Sequence, residues 1–286
     1  SGFLGSHLAD LLTESGYETR VFDIYKSKFI KNDQKMIVGD ITNKDQVDKV
    51  IKGSNYVFHF AGIADLKEAD ENPLEAINYN IIGTANILIS CVKNKISRII
   101  FSSTVYVYSD KGGIYRTTKQ SCEMLFENFY EKYDLDYTIL RFGSLYGRRA
   151  NNFNWMKKII AEALISGEMS RPGNGEEIRN YIHVEDAAKA CLDILDHQYR
   201  NSFLIITGNQ NLQIKDLLNM IKEMISNKIN IKYVEGDMDG HYKITPYAFR
   251  PRMAKKYTLN PSVELGQGIL DTIYDVYKEL GPTFKP

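Results

Sequence analysis

Apolar and polar positions along the chain follow two alternating periods. Short runs that are continuously apolar or alternate every two residues occur at Thr19–Asp23, Lys35–Val38, Asn55–Phe60, Arg98–Ser102 and Asp136–Arg141. Between them lie longer stretches in which apolar residues recur every three or four positions, as on one face of a helix. Strand and helix taking turns in this way is the pattern of a parallel sheet whose connections are helices. The clearest helical stretch covers residues 114–133, where Cys122, Leu125, Phe126 and Phe129 form one apolar stripe. Beyond about residue 147 the pattern loosens into a polar run at Arg148–Trp155, a helix to about Gly167 and a glycine turn at Gly173–Gly175. A helix is expected from Val184 to His197, then a strand at Phe203–Ile206 and a helix at Ile214–Ile225. The expected organisation is a larger α/β domain over residues 1–147 plus about 178–207. A smaller, partly interleaved α/β domain covers about 148–177 plus 208–286.

Composition narrows the partners. A chain of 286 residues, 43% hydrophobic, can bury a sizeable core. Its 36 basic and 36 acidic residues cancel, leaving no global field for nucleic acid or an anionic membrane. Small ligands are the expected partners. No apolar run is long enough to span a membrane. Cys91, Cys122 and Cys191 each fall in a helix-like stretch, which suits buried thiols in a reducing compartment, so a cytoplasmic location is expected. His7, His59, His183, His197 and His241 have no metal-ligand spacing, so no metal site is expected. His59 reads as a core residue at a strand end.

The candidate chemistry sits where a strand meets a helix. Ser102, Ser103 and Thr104 end the apolar run that starts at Arg98, and Tyr115 and Lys119 follow one helical turn apart on a shared face. In open α/β sheets that strand edge is where ligands bind. The same spacing recurs at Tyr274 and Lys278 without a hydroxyl cluster before it, and there it reads as surface and core. A free phenol titrates near ~10, so a phenolate at neutral pH needs a shift worth roughly 4 kcal/mol. One unit charge at ~4 Å in an effective dielectric of about 20 is of the size required.

The start of the chain reads as a phosphate-binding turn. Gly2-Phe3-Leu4-Gly5 runs directly into a helical pattern, so that backbone amides and the helix dipole would meet a pyrophosphate. Asp23, at the end of the next strand, is placed to accept from ribose hydroxyls and to repel a 2′-phosphate, favouring NAD over NADP. Asp40 and Ile41 end the following strand, where a carboxylate would reach an adenine amine and Ile41 would cover its face. The first, central strand of such a fold and its first glycine are expected to be missing from this chain.

Taken together these motifs resemble the extended short-chain dehydrogenase/reductases, specifically the NAD-dependent nucleotide-sugar epimerase/dehydratase group. The resemblance rests on Gly2-x-x-Gly5, Asp23, Gly39-Asp40-Ile41, His59-Phe60-Ala61-Gly62, Asn80-x-x-Gly83-Thr84, Ser102-Ser103-Thr104, Tyr115-x-x-x-Lys119, Leu140 to Gly147 and Arg179 to Asp186. It implies a Rossmann-type doubly wound parallel sheet with a substrate domain. It further implies that Phe60, Ala61 and Gly62 line an NAD cleft, with Asn80 supporting the helix beneath and Ser102 beside the cofactor. Tyr115, Lys119 and Thr104 are then the catalytic residues, with Ser103 the fallback hydroxyl. Ser144, Asn154, Arg179 and Arg250 would meet the substrate, a UDP-sugar foremost, and Trp155 lines its pocket or packs. Where dehydratases of the group carry Asp-Glu after the Thr, this chain has Val105-Tyr106. The implied reaction is epimerisation: hydride to NAD, a keto-sugar, and hydride return to its other face. A reductase, dehydratase or decarboxylase outcome is the alternative, and a non-catalytic NAD-sensing protein the alternative of another class. Relatives pair the helix after Tyr115, carrying Phe126, Phe129 and Tyr130, in a homodimer.

Overall fold

In the computed structural model, which describes residues 1–236 and 240–244, the alternation of periods becomes an alternation of elements. Helix α1 (Phe3–Glu14) precedes strands β1 (Arg20–Asp23) and β2 (Lys35–Val38), helix α2 (Lys44–Ile51) and strand β3 (Tyr56–His59). Helices α3 (Leu66–Glu71) and α4 (Pro73–Ile77) lead through a π-helical turn at Asn78–Ile82 into α5 (Gly83–Lys93). Strand β4 (Arg98–Thr104), a 3-10 turn at Val105–Tyr108, helix α6 (Gly113–Tyr133) and strand β5 (Tyr137–Phe142) follow. Then come β6 (Ser144–Tyr146), α7 (Trp155–Ser166), β7 (Glu168–Pro172), β8 (Ile178–Arg179), β9 (Tyr181–His183) and α8 (Val184–Asp193). The described chain ends with β10 (Ser202–Ile206), β11 (Leu212–Gln213), α9 (Ile214–Ile225) and β12 (Asn230–Val234). Arg250 and the Tyr274–Lys278 pair lie outside the described residues.

Four parallel strands form the main sheet in the order β10-β5-β4-β3, and β1 pairs in parallel with β2. The centre of strand β4, Ile99–Phe101, is continuously apolar because both of its faces are covered. Successive side chains go to opposite faces, so Ile99, Phe101 and Ile139 pack with α2, α5 and α6, whereas Ile100, Leu140 and Phe142 pack with α1 and α8. Each of these fully buried side chains contributes roughly 1.5–3 kcal/mol. Residues of β1 and of β3 line one cavity, and no strand joins the two among the described residues.

A third core lies apart from the sheet. Met156 and Ile159 of α7, Met169 of β7, and Ile214, Leu217 and Leu218 of α9 form it, beside the parallel β7–β12 pair. Two further short pairs, β6 with β9 and β8 with β11, carry no two-period signal in sequence.

Two features differ from the expected elements. The helix that begins at Val184 ends at Asp193, short of His197. The carbonyls of Leu195 and Asp196 accept instead from the fully buried Arg98 guanidinium, which turns the chain out of the helix. Phe126 of α6 is a core side chain, 1% exposed and stacked on Phe101, and is unavailable to an outer face. Among the described residues no helix is long and apolar enough to cross a membrane.

Candidate active site

The end of β4 and the first turns of α6 bring the predicted hydroxyls, phenol and ammonium together. Gly112, in the left-handed region at φ 96°, caps α6, and Asp70 accepts from the Ile114 amide, fixing where the helix starts. Tyr115 and Lys119 therefore face the sheet edge. The Thr104 hydroxyl is hydrogen-bonded to the Tyr115 phenol. Ser103 is turned the other way: its hydroxyl donates to Glu123 in the interior, and Glu123 is held in a bidentate pair by Arg141, with Nε–Oε1 3.0 Å and Nη2–Oε2 2.7 Å. Of the two candidate hydroxyls, Thr104 is the one beside the phenol.

Lys119 donates from Nζ to the Ser102 carbonyl at 2.8 Å, with Nζ 4.6 Å from the Phe101 ring centroid and 5.8 Å from that of Tyr115. The electrostatics run against the simple expectation. Burial pushes the Tyr115 phenol up to about 12, the bond from Thr104 opposing it only in part. Burial likewise pushes Lys119 down to about 8, against the pull of Cys122 and Glu123. In the protein alone desolvation dominates at Tyr115, and the phenol stays protonated at neutral pH. His59 is a core residue: it is pushed down to about 3 by burial and then by Lys119, and its Nε2 lies 2.8 Å from the Thr84 hydroxyl.

One cavity of about 1630 Å³ connects this constellation with the amino-terminal turn. Ser1 to Gly5, Asp23, Ile41, Phe60, Ala61, Gly62, Ser102, Thr104, Tyr115 and Lys119 all line it. Two predicted residues do not. Asp40 closes its own turn through Oδ1, which accepts from the Thr42 amide and hydroxyl, while those bonds leave Oδ2 unengaged. Asn80 is 2% exposed and grips Ile63 through both its amide and carbonyl while donating to Thr118. It acts behind the cavity wall, by tying the loop after β3 to α6. Gly62 has φ 145°, and a Cβ there would come within 2.5 Å of Asn80 Oδ1. Only glycine fits this approach.

The opposite wall carries Ser144, Asn154, Arg179, Trp155 and several residues that the sequence reading did not single out as ligand-facing. Asn154 caps α7 by accepting from Lys157 and donates to the Leu145 carbonyl, so both of its polar atoms have structural partners. Arg179 is buried with its guanidinium 4.3 Å from the Tyr242 ring centroid. Arg171, 2% exposed, bonds Glu177 and lies 4.8 Å over Trp155, which stacks on Tyr181. Trp155 thus both lines the cavity and packs. Tyr106, His241 and Tyr242 complete the wall next to Tyr115. Tyr106 had a legible signal, standing two places after Thr104. His241 had none, being brought there from 135 residues away.

A family model described as the NAD dependent epimerase/dehydratase family matches residues 1–205. The chain belongs to this family. It is therefore an enzyme of the NAD-dependent epimerase/dehydratase group. Among its relatives, a UDP-N-acetyl-alpha-D-glucosaminuronate decarboxylase of Bacillus cytotoxicus is 26% identical over 96% of this chain and 94% of its own length. A putative UDP-glucose 4-epimerase of Methanocaldococcus jannaschii is 25% identical over 94% and 93%. The crystal structure of a UDP-glucose 4-epimerase from Thermotoga maritima with UDP-glucose superposes with a TM-score of 0.80 at 25% identity, covering 98% of this chain and 97% of that one.

The family's cofactor fits the residues present. The amino end of the 12-residue α1 opens on the cavity, and a Cβ on Gly2 would meet nothing within 4 Å, so space for a bound pyrophosphate lies against the backbone there. Asp23 lies at the end of β1 where ribose hydroxyls would be met, and Lys119 and Ser102 lie at the nicotinamide end.

Proposed function

We propose that this family member is an epimerase of a nucleotide-activated sugar, a UDP-sugar foremost, inverting a hydroxyl-bearing carbon of the 4-epimerase type. The observation that carries the proposal is the Thr104–Tyr115–Lys119 constellation, followed by uncharged Val105 and Tyr106 where elimination of water would need an acid/base pair. Thr104 holds the oxygen of the reacting hydroxyl, and Tyr115 takes its proton as general base. Lys119, anchored on the Ser102 carbonyl, keeps positive charge beside the phenol. NAD, when bound, accepts hydride from the sugar carbon and returns it. Return to the other face after the keto-sugar turns over inverts the centre. Gly2 to Gly5, Asp23, Ile41 and Phe60 to Gly62 hold the cofactor in this proposal, and Ser144 and Arg179 hold the substrate's phosphates.

The test is incubation of NAD-loaded enzyme with UDP-glucose and UDP-N-acetylglucosamine. The expected product is an isomer of unchanged mass with no net NADH. The uronate decarboxylase among the relatives supports a second reading, in which UDP-glucuronate loses carbon dioxide. A product lighter by that mass, with no isomerisation of either uncharged sugar, would replace the first reading. Bound NAD that never cycles with any sugar would favour a non-catalytic sensor. The proposal includes a homodimer through α6, on which Met124 and Tyr130 stand exposed, and light scattering tests it.

A further inference from the structure

Beside Tyr115 the cavity wall carries a hydrogen-bonded pair with no part in the proposed mechanism. Tyr106 Oη and His241 Nδ1 are 2.6 Å apart, and both residues line the cavity, half-buried. The Tyr106 ring meets Tyr115 edge-on at 6.4 Å and lies against Tyr242 at 4.7 Å. The position is built: Gly112, whose amide donates to the Gly240 carbonyl, would bring a Cβ to 2.7 Å from the Tyr106 ring. The loop before α6 and the segment at residues 240–242 therefore close on each other around this pair.

Two roles are open to a phenol bonded to an imidazole, proton exchange or fixed hydrogen bonding. Burial, and then the neighbouring Tyr242 hydroxyl, push the Tyr106 phenol up. Burial, and then the Arg179 and Arg171 guanidiniums, push His241 down. Both shifts keep the two groups uncharged at neutral pH, so the contact between them supplies fixed polarity. With the Tyr106 hydroxyl donating to Nδ1, the imidazole carries its proton on Nε2. The pair then offers one acceptor, a lone pair on Tyr106 Oη, and one donor, His241 Nε2–H.

We infer that Tyr106 and His241 form a specificity-determining element that receives an uncharged hydroxyl or acetamido substituent of the sugar and disfavours a hexuronate carboxylate. The inference rests on the nucleotide-sugar reading of the cavity and adds the class of sugar. A hydroxyl satisfies both partners at once. A carboxylate is an acceptor only and leaves the Tyr106 lone pair unmet. The two guanidiniums that act on His241 are otherwise engaged: Arg171 is paired with Glu177, and Arg179 is taken by the substrate's phosphates in the proposed function.

NAD-loaded wild type, Tyr106→Phe and His241→Leu are assayed with UDP-glucose, UDP-N-acetylglucosamine and UDP-glucuronate. Wild type is expected to use an uncharged sugar with kcat/KM about 10-fold or more above that for UDP-glucuronate, from the bond to Tyr106 that only a donor can make. Each variant should lose about 10-fold on the uncharged sugar, chiefly in KM, and narrow that ratio, with affinity for UDP alone unchanged. Wild-type preference for UDP-glucuronate, or a ratio preserved in both folded variants, overturns the inference. Absence of turnover with any of the three sugars sinks the epimerase reading instead. The pair is then judged by calorimetry: UDP-glucose must bind more tightly than UDP in wild type and lose that advantage in both variants, and an advantage retained by both overturns it.

Discussion

On one side of the cavity Thr104, Tyr115 and Lys119 stand on a seven-residue strand and a 21-residue helix. On the other, Ser144 and Arg179 stand on strands of three and two residues. The first side is locked from behind by the buried Ser103–Glu123–Arg141 network and by Asn80 on Ile63 and Thr118. The second is held by aromatic and guanidinium stacking, Arg171 on Trp155, Arg179 on Tyr242 and Tyr106 on Tyr242. Reacting groups need fixed geometry, which regular elements supply; a wall made from short segments can change with substrate without disturbing them.

The largest test of this contrast is Tyr115→Phe. Removing the base should lower kcat by about 10²–10⁴-fold while leaving UDP binding intact, and an enzyme that keeps full rate would end the assignment of Tyr115 as base. Next comes a pair of truncations. Arg141→Met strands the Glu123 carboxylate in the interior and should destabilise by about 3–5 kcal/mol in denaturant titration. Arg179→Met, on the other wall, should stay within about 1 kcal/mol of wild type yet weaken UDP-sugar binding. Equal destabilisation by the two would erase the distinction between the walls.

Lys119→Met sharpens the contrast from within the rigid side. The folded-state pKa of Lys119, about 8, lies below its ordinary 10.5, so the unfolded chain binds the extra proton and holding the ammonium costs about 3 kcal/mol at neutral pH. That cost is full below pH 8 and fades as pH rises toward 10.5. The variant should therefore be inactive and more stable, by up to that amount, at pH 7; a lower melting temperature would show that the bond to Ser102 outweighs desolvation. The smallest effect concerns His59, held at about 3 against an ordinary 6.5. Its neutral form is needed in the fold, so its contribution is complete above 6.5 and declines as pH falls, by roughly 2 kcal/mol at pH 5. In His59→Gln the stability profile between pH 7 and 5 should flatten, and an unchanged slope would assign the acid loss elsewhere.

The rigid side was largely legible in the chain. Strand β2 and helix α9 have the bounds expected from periodicity, and β4 and β5 lie within one or two residues of theirs. Tyr115 and Lys119 share a face because i and i+4 do so in any helix. What periodicity could not convey was the direction of individual polar groups. Asp40 closes a turn through one carboxylate oxygen, and Asn80, expected to support the helix beneath the cleft, braces the loop at Ile63 against Thr118. In the protein alone burial pushes the Tyr115 phenol up, which spacing could not report; the expected fall requires the nicotinamide's charge as well as the ammonium.

The sequence by itself determined the alternating sheet and helices, the strand edge that carries the hydroxyls, and the pairing of Tyr115 with Lys119, since each depends on contacts within a few residues. Only the tertiary structure decided that Thr104 and not Ser103 meets the phenol, and that His241 reaches Tyr106 across 135 positions. Hydrogen bonding and burial are set by what packs against a group in space, and long-range packing leaves no period in the chain.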